Sequence, residues 1–191
     1  MFAAKDRLRK RSILALSLRI AKLVLPQGVR RLARVWRESR FMSQRPDREL
    51  LVGRILPGLS KPGVTMLWVG CQPYTQPYLK IVERRGAMCW TLEIDPAARC
   101  WGHPQRHIVG DLQSVGTLYR PDQFDVALVN GIFGYGVDTL PGQEEAIKGL
   151  ARILKPGGIL MLGWNTDRSS DPMQLPAVKQ FFIRSRQPGF G

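Results

Sequence analysis

The chain has 191 residues, enough for one α/β domain with a buried core plus an extension. Its 44% hydrophobic content is that of a globular protein, and with no run of about 18 apolar residues a membrane span is excluded. The net charge of +14 is lopsided: residues 1–48 hold 14 Lys and Arg against 3 Asp and Glu, whereas residues 49–191 hold 15 against 12, so an anionic partner is expected to meet the N-terminal arm.

The arm, residues 1–45, reads as two basic helices. The first runs over about 6–25, where Ser12 to Leu25 is aliphatic but interrupted by Arg19 and Lys22, and it stops at Pro26-Gln27-Gly28. The second runs over about 29–41, with Leu32, Val35 and Trp36 on one side and Arg30, Arg31, Arg34 and Arg37 around them. Residues 46–191 form the body. Asp47 is a plausible N-cap for a helix striped with Leu50, Leu51, Ile55 and Leu56, stopped by Pro57-Gly58. From Val64 onward short apolar strands alternate with helices. Strands are expected at 64–69, 88–94, 107–109, 125–129 and 159–164, helices at 75–85 and 143–154, and a tight turn at Lys155-Pro156-Gly157-Gly158. That alternation means right-handed βαβ units in a Rossmann-like three-layer αβα sandwich with a mostly parallel sheet. After Trp164 a polar loop and a short helix over about 175–185 are readable, but no further pair of strands.

Cys71, Cys89 and Cys100 contain no C-x-x-C pair, and Pro104 breaks the helical spacing of His103 and His107, so neither a disulfide framework nor a metal site is expected. The thiols fit a reducing, cytoplasmic setting.

In an open parallel sheet, ligands bind beyond the carboxyl ends of the strands. The residues expected there are Gly70, Cys71 and Gln72 after the first strand, Glu93 and Ile94 at the end of the second, Asp111 and Leu112 after the third, and Asn130 after the fourth. Gly70 lets the chain turn sharply under a ligand. Glu93 can accept two hydrogen bonds from a ribose diol. Asp111 can accept from an adenine amine, and Leu112 offers an apolar face to the ring. Each feature alone has a structural explanation; Asp95-Pro96, for example, is a good N-cap with proline at the first helical position. Their occurrence one per strand end is harder to explain as accident.

Five stretches now stand out: LWVGC at 67–71, TLEIDP at 91–96, VGDL at 109–112, FDVALVNGIF at 124–133 and LARILKPGGILMLGWN at 150–165. With them the sequence resembles the class I S-adenosylmethionine-dependent methyltransferases, of the type 11-like kind, over about half of its length. The resemblance implies S-adenosylmethionine as cofactor, with Gly70 at its methionine part, Glu93 on the ribose hydroxyls, Asp111 and Leu112 framing the adenine, and Asn130 near the methyl group. The first loop departs from the family's acid-x-Gly-x-Gly-x-Gly: Trp68, Gln72 and Tyr74 replace the acid, the second and the third glycine.

Methyl transfer to an acceptor is therefore the leading expectation, with Tyr135 and Asp138 as candidates for the acceptor side and no committed general base. A nicotinamide oxidoreductase would need G-x-G-x-x-G after Gly70, which is missing. The remaining rival is a non-catalytic methyltransferase-like module that acts through its basic arm at a membrane surface or on nucleic acid. Asn130-Gly131-Ile132-Phe133 is not the Asn/Asp-Pro-Pro-aromatic motif of nucleic-acid amino-methyltransferases. The acceptor is accordingly expected to be a small molecule, a sugar or a lipid-linked compound. Residues 1–42, basic and rich in aliphatic and interfacial aromatic side chains, are expected to meet an anionic membrane surface, giving a peripheral position.

Overall fold

Strand β1 (Thr65–Val69) shows why these residues make a sheet covered on both faces: Met66 and Trp68 point to one side, Leu67 and Val69 to the other, and all four are buried. The computed structural model describes residues 26–43 and 45–185, so the first arm helix expected over 6–25 lies outside the described residues. Around β1, strands β2 (Met88–Glu93), β3 (His107–Val109), β4 (Phe124–Asn130) and β5 (Leu154–Gly163) form one parallel sheet in the order β3-β2-β1-β4-β5. The order reverses between β1 and β4, which opens a crevice at their carboxyl ends.

Helix α1 spans Gln27–Ser43. Helix α2 (Pro46–Leu50) runs into a π-helical turn at Leu51–Ile55 and then into α3 (Leu56–Leu59). With α4 (Gln76–Arg84), this segment covers the face carrying Met66, Trp68 and Leu128. The opposite face, with Leu67, Val69 and Val129, is covered by α5 (Val115–Leu118), α6 (Leu140–Ile153) and α7 (Pro176–Phe181). Helix α6 starts earlier than the apolar pattern suggests, because Thr139 Oγ1 caps Gly142 N–H and Pro141 suits the first turn. A tertiary contact also explains two of its neighbours: a Cβ on Gly149 would lie 2.7 Å from Val115 Cγ1 and 2.9 Å from Gly116 N, so α5 and α6 pack backbone to backbone.

Some expectations need correction. The helix before β1 has its N-cap at Arg45, not Asp47, and Pro57-Gly58 lies inside α3 rather than stopping the segment. Lys155-Pro156-Gly157-Gly158 is not a turn ahead of the last strand but a bulge inside it. β5 begins directly after α6, Phe124 pairs with Leu154, and the register then jumps to Val126 with Ile159. Pro156 lacks a ladder N–H, and Gly157 at φ +76° absorbs the kink. Lys155 Nζ donates to Asp125 Oδ1 at 2.8 Å and fixes the bulge to β4. β3 and β5 are the two edges of the described sheet.

Helix α1 of the arm is not detached from the body. Val35 of α1 packs on Cys71, Ala98 and Trp101, and the Arg34 guanidinium sits 5.9 Å over the Trp101 ring. The same helix leaves Leu32, Trp36 and Phe41 each about two-thirds exposed. Among the described residues, no helix is long and apolar enough to cross a membrane.

Candidate functional site

A cleft of about 820 Å³ opens at the carboxyl ends of β1, β2 and β4, within the range of small-molecule sites. Gly70, Gln72, Glu93, Ile94, Asp111, Leu112 and Asn130 all line it. Of the expected set only Cys71 does not. The turn at Gly70 sends its side chain the other way, into the apolar cluster with Ala98, Trp101 and Val35. Burial, reinforced by the nearby Glu93 charge, pushes the Cys71 thiol up to about 12, so it stays neutral.

The loop after β1 is braced from inside. Gly70, at φ +88°, donates its N–H to Leu92 O at 2.9 Å, and Cys71 N–H donates to Glu93 Oε2 at 2.7 Å. Gln72 N–H donates to Thr75 Oγ1 at 3.0 Å, and Thr75 N–H to Gln72 O at 2.9 Å. Pro73 has no N–H. Trp68 donates its indole N–H to Gly70 O at 2.9 Å. An aromatic donor on β1 thus braces the turn.

Glu93 is buried at the end of β2, with Oε2 on Cys71 N–H and Oε1 accepting from Asp95 N–H at 2.9 Å. Each carboxylate oxygen has a second lone pair, so capacity remains for a diol. Asp95 itself caps Ala97 N–H, its structural role. Ile94 is left 56% exposed on the cleft wall, an apolar surface offered to a ligand, and Leu112 joins it from the core. Asp111 accepts from Gln113 N–H and Gln113 Nε2 and so begins the short helix at Leu112–Ser114. At the end of β4, Asn130 lies directly over Gly163, where any Cβ would collide with its side-chain oxygen.

The two acceptor-side candidates separate. Tyr135 lines the cleft, and its hydroxyl accepts from Asn165 Nδ2 at 3.1 Å. Asp138 does not line it; its Oδ1 accepts from Gly136 N–H and shapes the loop. Sequence reasoning missed a whole wall. Arg45, Arg48, Leu50, Leu51 and Ile55 reach the cleft from the segment before β1, and Met161, Trp164 and Asn165 from β5 and beyond. The Arg48 guanidinium stacks 5.4 Å over Tyr74, whose phenol is raised by burial against the opposing pull of Arg48. Among the described residues there is no group of His, Cys, Asp and Glu side chains able to hold a metal ion.

A family model described as a methyltransferase domain matches residues 67–162. No curated protein matches the chain. Among solved structures, a SAM-dependent methyltransferase from Archaeoglobus fulgidus aligns with 13% identity and a TM-score of 0.49, over 64% of this chain and 54% of that one. Geranyl diphosphate C-methyltransferase from Streptomyces coelicolor A3(2), solved with Mg2+, geranyl diphosphate and S-adenosyl-L-homocysteine, aligns with 17% identity and a TM-score of 0.45, over 59% and 42%. The chain thus spans about half the length of these structures.

Proposed function

The chain belongs to the methyltransferase domain family, whose cofactor is S-adenosylmethionine, and from that premise we propose that its cleft transfers the methyl group to a small-molecule, sugar or lipid-linked acceptor. The observation that carries this is the convergence in one crevice of Glu93, Ile94, Asp111, Leu112 and Asn130, from the ends of three strands or the loops beyond them. The residues fit the cofactor's chemistry: a buried carboxylate with lone pairs to spare for a diol, an aliphatic wall beside an acid for the adenine, and a polar amide at the end of β4.

When bound, the cofactor supplies a sulfonium methyl whose carbon bonds to the acceptor nucleophile while the carbon–sulfur bond breaks and its electron pair stays on sulfur. Glu93 and the Ile94/Leu112 wall fix the nucleoside end. Leu50, Leu51, Ile55 and Met161 make the acceptor end apolar and exclude water. Tyr135, held through Asn165, presents a hydroxyl that can orient an acceptor. The apolar lining favours an acceptor with a hydrocarbon part over a nucleic acid.

We also propose that the outer face of α1 meets an anionic membrane surface. Val29, Leu32 and Trp36 share one face and are exposed, with Arg30, Arg37 and Arg40 beside them. An anionic bilayer surface matches both the apolar stripe and its cations. The rival module without cofactor has one feature in its favour, the loop whose amides are mostly used inside the protein. Calorimetric titration with S-adenosylhomocysteine separates the two: saturable binding supports the enzyme, and no heat at any accessible concentration supports the rival.

A further inference from the structure

The loop after β1 has little left to offer an anion. Gly70, Cys71, Gln72 and Thr75 have committed their N–H groups inside the protein and Pro73 has none, so of the loop's amides only Tyr74 N–H is left to offer. A cofactor whose amino-acid end carries a carboxylate therefore needs a cation from elsewhere. Arg48 stands in the cleft wall beside this loop, its side chain only 12% exposed. Its position is held by two contacts: the guanidinium stacks on Tyr74 of the loop, and Nε lies 3.3 Å from Asp47 Oδ2. That approach to Asp47 has no hydrogen-bond geometry, and the buried Nε is without a hydrogen-bond partner. Nε is enclosed and out of a ligand's reach, so what Arg48 can offer an acceptor is the part of its side chain that lines the cleft.

We propose that Arg48 is the carboxylate-binding residue for the amino-acid end of S-adenosylmethionine, taking over from the helix before β1 the role that free loop amides cannot fill. The assignment rests on the methyl-transfer proposal above. Tyr74, which replaces a family glycine, then has a purpose: its ring is the platform that aims the guanidinium across the loop. Arg45, exposed at the mouth, adds positive potential but is not buried in the wall. The π-helical turn at Leu51–Ile55 follows Arg48 by three residues, and such turns recur where a helix adjusts to present a functional side chain.

Calorimetry on the full chain tests this with two ligands, S-adenosylhomocysteine, which has the carboxylate, and 5′-methylthioadenosine, which lacks the whole amino-acid end. Arg48→Gln should weaken S-adenosylhomocysteine by about ten-fold or more, the scale of one charge-assisted hydrogen bond, and leave 5′-methylthioadenosine unchanged. Arg48→Lys should recover part of the loss. The carboxamide of S-adenosylhomocysteine, titrated into the unsubstituted chain, gives the same answer if Arg48→Gln does not fold: it should bind about ten-fold more weakly than the parent acid. Equal affinity of acid and amide, or equal losses for both ligands in the variant, would overturn the role of Arg48 and leave the methyl-transfer proposal standing. Absence of S-adenosylhomocysteine binding to the unsubstituted chain would overturn both.

Discussion

Cys71 N–H donates to Glu93 Oε2 at 2.7 Å, so the carboxylate that faces the cleft also ties the β1 loop to the end of β2. Glu93 Oε1 does the same for Asp95 N–H at 2.9 Å. One buried side chain therefore sets the shape of two loops and presents its remaining lone pairs to a ligand.

Glu93→Gln should then fail in both respects. An amide has one acceptor oxygen, so one of the two backbone N–H groups faces a donor and loses its partner, at a cost of about 1–3 kcal/mol in folding. S-adenosylhomocysteine affinity should fall by about ten-fold or more for the loss of a charge-assisted bond. Urea unfolding and calorimetry read the two effects separately. A folded variant with an unchanged dissociation constant would move the diol elsewhere.

Gly70 is the second position where the site and the fold coincide. At φ +88° an L side chain is strained by about 1–2 kcal/mol, and its Cβ would lie 2.8 Å from Ile132 Cδ1. Gly70→Ala should lower the unfolding midpoint and, by pushing Ile132 into the cleft it lines, weaken S-adenosylhomocysteine as well. Wild-type affinity in Gly70→Ala would show that the loop relaxes away from the ligand.

The residues that were legible in the sequence share one property: their position is set by the strand that precedes them. Glu93 follows from the end of β2, Asn130 from the end of β4, and the parallel sheet itself from apolar runs separated by helices. Cys71 shows the limit of that logic. One residue past Gly70, it belongs to the same loop, but the positive φ turns its side chain into the cluster with Trp101. Arg48 and Leu51 were not legible because they reach the cleft through tertiary packing of a segment far from the strand ends, whereas Trp164, one residue past β5, obeys the strand-end rule and is absent from the expected set. Pro156 and the two glycines after it looked like a turn, since a bulge and a turn use the same residues. Only the pairing of Lys155 with Asp125 and the shifted ladder tell them apart.

Stability should fall on mild acidification, because two histidines are held neutral. His103 Nδ1 accepts from Gln105 N–H and Arg106 N–H, and Nε2 lies 2.9 Å from Glu83 Oε1 and 2.7 Å from Arg106 Nη2. Burial, then the Arg106 charge, holds His103 below its ordinary 6.5, and burial with Arg99 does the same for His107. In the unfolded chain both take up a proton near pH 6.5, before the folded chain does. Their contribution is thus complete above that pH and is lost as pH falls below it. The urea midpoint should be level from pH 8 to about 7 and decline toward pH 5.5, with a shallower decline in His103→Gln. Asp125, held below its usual value by Lys155 and Thr65 N–H against the opposing effect of burial, adds a loss only at lower pH. A midpoint that stays level down to pH 5.5 would remove both histidines from the linkage.

The outer face of α1 yields the last prediction. Leu32 and Trp36 lie one helical turn apart and are 68% and 65% exposed, while Val35 of the same helix is fixed against the body. The helix is therefore presented rather than free, and its apolar stripe faces outward. Trp36 also carries the Arg40 guanidinium 5.4 Å from its ring, a pairing suited to the boundary between headgroups and acyl chains. Each Lys or Arg near an anionic leaflet contributes about 1 kcal/mol, so the charge of the arm should give reversible binding that weakens with salt. The full chain should float with vesicles containing anionic lipid and not with neutral ones. Leu32→Ser with Trp36→Ser should reduce flotation several-fold without changing S-adenosylhomocysteine affinity, since neither residue lines the cleft. Equal flotation of the variant would assign membrane binding to the cations alone. Failure of the full chain to float with anionic vesicles would leave the stripe to a different partner.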